Sequence, residues 1–112
     1  NVKIWNNKPE RDFVFTEDAA DAVLKLINSD FTGTVNLGSG KKCSLKEMTE
    51  IIEKMSGKKI ISEDKQVSGP MKFVTDISKL QKITNWKPKF SLKEGLEKTY
   101  NIMKDYHLKK SS

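Results

Sequence analysis

Twenty of the twenty-one basic side chains in this sequence are lysine, and the one arginine, Arg11, stands in Arg11-Asp12-Phe13-Val14-Phe15. Guanidinium is a planar fork of five donors that pairs bidentately with phosphate or carboxylate, which an ammonium does not reproduce. An arginine kept in so lysine-rich a chain points to an anionic ligand or to an internal ion pair with Asp12, Asp18 or Asp21. Tyr100 and Lys104, like Tyr106 and Lys110, stand four apart, the helical spacing at which a lysine can lower a tyrosine's pKa for proton transfer. Two such pairs in one lysine-rich helix read as coincidence, and Tyr100 fits the apolar stripe. Gly38-Ser39-Gly40-Lys41-Lys42 offers flexible backbone for a phosphate, but Lys42 and Cys43 intervene before Ser44. It therefore fails the Walker pattern, and Cys43 stands where the third glycine of a dinucleotide loop belongs. By themselves its glycines read as a turn. Cys43 reads as a buried small hydrophobe, and Trp86 as a packing anchor.

The elements that must position these residues are short. Val2, Ile4, Phe13 and Phe15 alternate around the polar stretch from Asn6 to Glu10, predicting two strands joined by a turn. Thr16 is placed to cap a helix carrying Ala19, Ala20, Val23, Leu24 and Ile27 and ending near Asn28. Thr34 to Leu37 reads as a short buried strand. Ser-Leu-Lys-Glu occurs at Ser44 and again at Ser91, and each is a capping box opening a helix. Gly57 stops the first, and Gly95 is a mild weakness in the second. Lys59 to Ser62 reads as a strand and Glu63 to Met71 as a loop. Asp76 can cap a short helix that ends at Asn85, and residues 109–112 should fray. The order β-β-α-β-α-β-α-α predicts a single small α/β domain over residues 1–112.

Composition narrows the function. The formal net charge is +6, but the lysines are interleaved with fifteen acids and no aromatic residues alternate with them as a stacking platform requires. This disfavours a stand-alone module for nucleic acid or another polyanion, which is the alternative to the reading below. One cysteine excludes an internal disulfide, and one histidine speaks against a zinc site. The apolar runs are too short for a membrane helix. With no signal peptide in view, the expected location is the cytoplasm.

Four segments in order carry a resemblance. Arg11-Asp12-Phe13-Val14-Phe15-Thr16-Glu17-Asp18 resembles the "RDFVYVDD" stretch of the extended short-chain dehydrogenases, the NAD(P)-dependent nucleotide-sugar epimerases and dehydratases. Val35-Asn36-Leu37-Gly38-Ser39-Gly40 is similar to their "NIGSG" element. Val74-Thr75-Asp76-Ile77-Ser78-Lys79 is similar to "xADISK". Trp86-Lys87-Pro88-Lys89-Phe90-Ser91-Leu92 is similar to "GWxPxxSL". The Gly69-Pro70-Met71-Lys72 loop is slightly closer to the reductoisomerase type than to the galactose epimerases.

The resemblance covers essentially the whole chain and implies a C-terminal substrate-binding subdomain with short strands and about four helices. In the family this part packs on an NAD(P)-binding Rossmann domain, which is absent here together with the catalytic residues. It implies that Arg11 pairs with the diphosphate of a nucleotide-diphosphate sugar and that Phe13 stands at an often-tyrosine position beside it. It further implies that Asn36 lines the nucleotide pocket and that Lys72 is the basic residue on the following loop. No catalytic, cofactor or metal ligand is expected in this chain; NAD or NADP would belong to the parent. Apolar surface left by the missing domain should drive self-association.

Overall fold

A computed structural model describes residues 1–111. In chain order these form β1 (Val2–Ile4), β2 (Glu10–Asp12), α1 (Thr16–Ile27), β3 (Lys42–Ser44), α2 (Leu45–Ser56), β4 (Ile60–Ser62), α3 (Ser78–Thr84) and α4 (Leu92–Ser111). The α/β class and the four helices follow the sequence patterns. The strand partners do not.

The first two strands form no hairpin. β1 runs parallel to β4, with Val2 opposite Ile60 and Ile4 opposite Ser62, while β2 runs antiparallel to β3, with Arg11 opposite Cys43. The link between β1 and β2 is fastened elsewhere. The Asn7 amide donates to Ser62 Oγ at 3.1 Å, and Asn6 Nδ2 donates to the Lys65 carbonyl at 3.0 Å. The carbonyls of Pro9 and Asn7 accept the Leu45 and Lys46 amides at 2.9 and 2.8 Å, satisfying open donors in the first turn of α2. With its polar groups engaged this way, the link runs on instead of folding β2 back on β1.

Local chemistry explains the helix ends. Ser44 Oγ accepts the Glu47 amide at 3.1 Å, and Gly57 closes α2 in the left-handed region at φ 70°. Ser91 and Glu94 make the full reciprocal box, each bond 3.1 Å. Asn85 closes α3 at φ 56°. Two expected caps are displaced. Thr16 is the first helical residue of α1, and Phe15 before it makes no side-chain cap. Asp76 accepts the Ser78 amide at 3.0 Å, but Ile77 occupies the cap position of α3. Of residues 109–112, expected to fray, Ser112 lies outside the described residues; the backbone is helical through Ser111.

The core is small. Ala22, Ile77, Leu80 and Trp86 are its buried apolar residues among those described, with Val14, Leu26, Val35 and Leu37 packed on them. Each fully buried large side chain contributes roughly 1.5–3 kcal/mol. Thr34 to Leu37, expected as a strand, joins no ladder, because no described strand runs beside it.

Gly95 is no weakness in its context. It is buried in α4, and a Cβ there would lie 3.2 Å from Phe15 Cβ and 3.4 Å from its ring. Phe15 in turn meets Phe90 edge-on, with ring centroids 5.0 Å apart. Gly95→Val is expected to wedge α4 from Phe15 and lower stability by roughly 2–3 kcal/mol, read as a shift in a urea melt at unchanged slope. A midpoint within error of wild type would show that this contact is slack.

Candidate functional site

The site is organised by a carboxylate that sequence reading passed over. β2 ends at Asp12, whose side chain accepts four hydrogen bonds. Ser39 gives two, from its amide at 2.8 Å and its hydroxyl at 2.6 Å; the Gly40 amide gives one at 3.0 Å and the Thr75 amide one at 3.1 Å. Partial burial pushes the Asp12 pKa up, but the bonds from Ser39, Thr75 and Gly40 together outweigh it and hold the carboxyl below its ordinary value. Gly38 is needed for this closeness. A Cβ on it would stand 2.6 Å from Thr75 Cβ and 2.9 Å from Asp12 Oδ2. The Gly-Ser-Gly loop is thus a cradle for an anion, and the anion is the chain's own carboxylate.

A second buried acid has the same kind of task. Asp18, 2% exposed in the first turn of α1, accepts the Lys89 and Phe90 amides at 2.9 and 3.1 Å. It ties α1 to the segment that leads into α4. A first-turn acid reads locally as compensation for the helix dipole, and nothing nearby shows that its partners lie more than seventy residues further on.

These bonds bear on the partners open to Arg11. The three acids that could have neutralised it are committed elsewhere: Asp12 to the loop amides, Asp18 to Lys89 and Phe90, and Asp21 to Lys25 at 3.1 Å. No carboxylate pairs with Arg11 among the described residues. One nitrogen, Nη1, donates to the carbonyls of Glu10 at 2.9 Å and Met71 at 3.4 Å, and the group lies over Gly69. The rest of the fork is left for another acceptor.

The other expected ligand residues are spread around this point. Lys72 bridges to Glu10 along the edge of β2, so the two side chains share a face, and its Nζ stands 3.8 Å from Glu10 Oε2. That oxygen is buried and accepts no hydrogen bond, so Lys72 balances its charge from beyond bonding distance. Arg11, next along the strand, projects from the opposite face. Asn36 is exposed, two residues before Gly38. Phe13 lines a cleft of ≈ 770 Å³ together with Cys43 and four lysines, Lys41, Lys42, Lys87 and Lys89. No one cleft described is lined by all four residues.

The tyrosine–lysine pairs make no proton-transfer arrangement. Lys104 Nζ sits 6.0 Å from the ring centre of Tyr100, and Lys110 Nζ 4.9 Å from that of Tyr106. These are cation–π contacts on a helix surface. Cys43 is half-buried; burial first, then the Glu47 carboxylate that its thiol faces at 3.5 Å, push its pKa up to about 11. It is expected to alkylate with iodoacetamide at pH 8 at least tenfold more slowly than a free thiol of pKa near 8.5, since thiolate is the reactive form. A rate equal to that of free cysteine would contradict this environment. Among the described residues there is no group of three His, Cys, Asp or Glu able to hold a metal ion, and no helix long and apolar enough to cross a membrane.

The arrangement is a small α/β unit whose one arginine donates to two carbonyls and whose Gly-Ser-Gly amides bind the chain's own carboxylate. No protein-family model matches the sequence. It is 36% identical over 104 residues to probable GDP-L-fucose synthase 1 of Oryza sativa subsp. japonica, an alignment covering 88% of this chain and 31% of that protein. It is 34% identical over 108 residues to UDP-glucuronate 4-epimerase of Thermodesulfobacterium geofontis, covering 93% and 33%. Among solved structures, UDP-glucuronic acid 4-epimerase from Bacillus cereus in complex with NAD superposes with a TM-score of 0.75 at 26% identity, over 93% of this chain and 34% of that one. The chain belongs to the extended short-chain dehydrogenase family of NAD-dependent nucleotide-sugar epimerases and dehydratases, matching its C-terminal part. It spans about a third of the length of these relatives.

Proposed function

We propose that this chain holds the nucleotide diphosphate for an NAD(P)-dependent epimerase, dehydratase or reductoisomerase of nucleotide sugars, and that it does not catalyse alone. The observation that carries the reading is Arg11, held by two carbonyls and left without a carboxylate while three nearby acids are occupied. A diphosphate offers the bidentate acceptor that such a guanidinium lacks. Phe13, Asn36 and Lys72 are the further candidates for contact with the nucleotide. The residues present do not fit a dinucleotide, because the amides of the Gly-Ser-Gly loop are spent on Asp12. NAD or NADP therefore belongs to the remainder of a parent enzyme.

The test is calorimetric titration of UDP and GDP into the chain, with Arg11→Ala beside it. Saturable heat that the variant loses is expected; equal heats would remove Arg11 from the site. Turnover of a nucleotide sugar with NAD by the purified chain would refute the non-catalytic part. The four unpaired lysines around the Phe13 cleft favour the polyanion reading instead. That reading requires binding that falls steeply with salt and that UDP does not compete away.

A further inference from the structure

The four residues named as nucleotide contacts come from three stretches far apart in sequence. Arg11 and Phe13 stand at the end of β2, Asn36 on the approach to the Gly-Ser-Gly loop, and Lys72 on the segment before α3. One side chain reaches all three stretches. Asp12 lies between Arg11 and Phe13, and its oxygens accept the Ser39 and Gly40 amides, 27 and 28 residues on, and the Thr75 amide, 63 residues on. Asn36 is two residues before Gly38, which is buried and so close to Thr75 that an added Cβ would stand 2.6 Å from the Thr75 Cβ. Lys72 is three residues before Thr75.

Successive side chains of a strand point to opposite faces, so Asp12 is turned away from the face that carries Arg11. It acts on that face through the backbone, by fixing where β2 ends and hence where the Arg11 side chain starts. The strand has little else to fix it. β2 and its partner β3 are three residues each, and a single bridge, Glu10 to Lys72, joins β2 to the segment on its other side. The side chain of Arg11 adds a 2.9 Å bond to the Glu10 carbonyl and a long one of 3.4 Å to that of Met71. A bidentate contact to phosphate needs the fork held to within about 0.5 Å of its place.

We infer that Asp12 is the positioning residue of the nucleotide site: from behind β2 its carboxylate joins the three stretches that carry Arg11, Phe13, Asn36 and Lys72, and so sets nucleotide affinity without touching the nucleotide. This rests on the reading of Arg11 as a ligand for a diphosphate. The expected sign is opposite to that of simple electrostatics. A carboxylate next in sequence to the binding arginine repels a diphosphate, and if it did nothing else, neutralising it would tighten binding. A positioning role requires that the same change loosens it.

The experiment titrates UDP into the wild-type chain, Asp12→Asn, Ser39→Ala and Gly57→Ala, with circular dichroism showing which are folded at the assay temperature. Asp12→Asn removes the charge and one acceptor oxygen, and is expected to bind UDP roughly fivefold more weakly or worse. Ser39→Ala removes only the 2.6 Å hydroxyl bond and leaves the carboxylate charged. It is expected to bind about threefold more weakly, and it carries the test if Asp12→Asn does not fold. Gly57→Ala strains the left-handed end of α2, where an added Cβ meets nothing within 4 Å, so it lowers stability away from all three stretches and should bind like wild type. A second readout needs no ligand. The chain has one arginine, so a single Nε–H signal reports its guanidinium. The nitrogen–proton NOE of that signal is expected to be high in wild type and Gly57→Ala and to fall in Asp12→Asn and Ser39→Ala. UDP affinity unchanged or tighter in a folded Asp12→Asn, an equal loss in Gly57→Ala, or an NOE that both Asp12→Asn and Ser39→Ala leave unchanged each overturn the positioning role. A wild-type chain that binds no UDP, with an NOE that still falls in these two variants, removes the nucleotide reading and keeps Asp12 as the group that orders Arg11.

Discussion

Asp12→Ala is expected to be the most destabilising single change in this chain. It would strip acceptors from the Ser39, Gly40 and Thr75 amides and the Ser39 hydroxyl at once. Each lost charge-assisted bond is worth about 1.5–3 kcal/mol when fully buried. Asp12 is only partly shielded from water, so the sum is discounted to roughly 3–5 kcal/mol. That is a large share of the roughly 5–15 kcal/mol that holds a domain together. Asp12→Asn keeps one acceptor oxygen and should cost about half as much. Urea melts of the three proteins check this, and a loss under about 1 kcal/mol for alanine would show that the loop closes without the carboxylate.

The same group sets an acid limit. Its folded pKa lies below the ordinary aspartate value, so its stabilisation is fully present above the unfolded pKa near 4 and is lost as pH falls through the lower folded value. Asp76 and Glu94 are lowered as well, by bonds from Ser78 and Ser91 respectively, and act over the same range. The difference between wild type and Asp12→Asn therefore isolates Asp12. It should shrink as pH drops below about 4, and a difference that stays constant to pH 2 would exclude the linkage.

The second large effect concerns binding. Arg11→Lys should weaken UDP affinity in the same titration roughly ten- to hundredfold, the equivalent of losing about 1.5–3 kcal/mol of charge-assisted hydrogen bonding. The charge stays and the planar fork goes, so the loss measures bidentate pairing and not simple attraction. Arg11→Ala should cost more, because the diphosphate then lacks a counter-charge. Stability should change little in both, since Arg11 pairs with no carboxylate among the described residues. Unchanged affinity with a lowered melting point would make Arg11 a structural clip for the Met71 loop.

Features whose causes lie within a few residues were legible in the sequence. The stops at Gly57 and Asn85 and the caps at Ser44 and Ser91 were legible because each is made by neighbours in the chain. The four spaced motifs likewise carried the family. They did so without revealing why they stand together. Asp12 of the first motif binds Ser39 of the second and Thr75 of the third, and Asp18 binds the backbone of the fourth. That depends on the tertiary structure, as does the lack of a carboxylate partner for Arg11 among the described residues, since Asp12 and Asp18 are drawn to distant amides and Asp21 to Lys25. Strand partnership was hidden for the same reason. Alternation marks β1 but places the second strand at Phe13 and Phe15, whereas β2 is Glu10–Asp12 within the stretch read as the turn and its end; the Asn6–Pro9 link is fastened instead to Ser62, Lys65 and the start of α2, and β1 and β2 pair with β4 and β3. Periodicity records which way a side chain faces, whereas pairing and charge balance are settled by whatever the rest of the chain brings to that face.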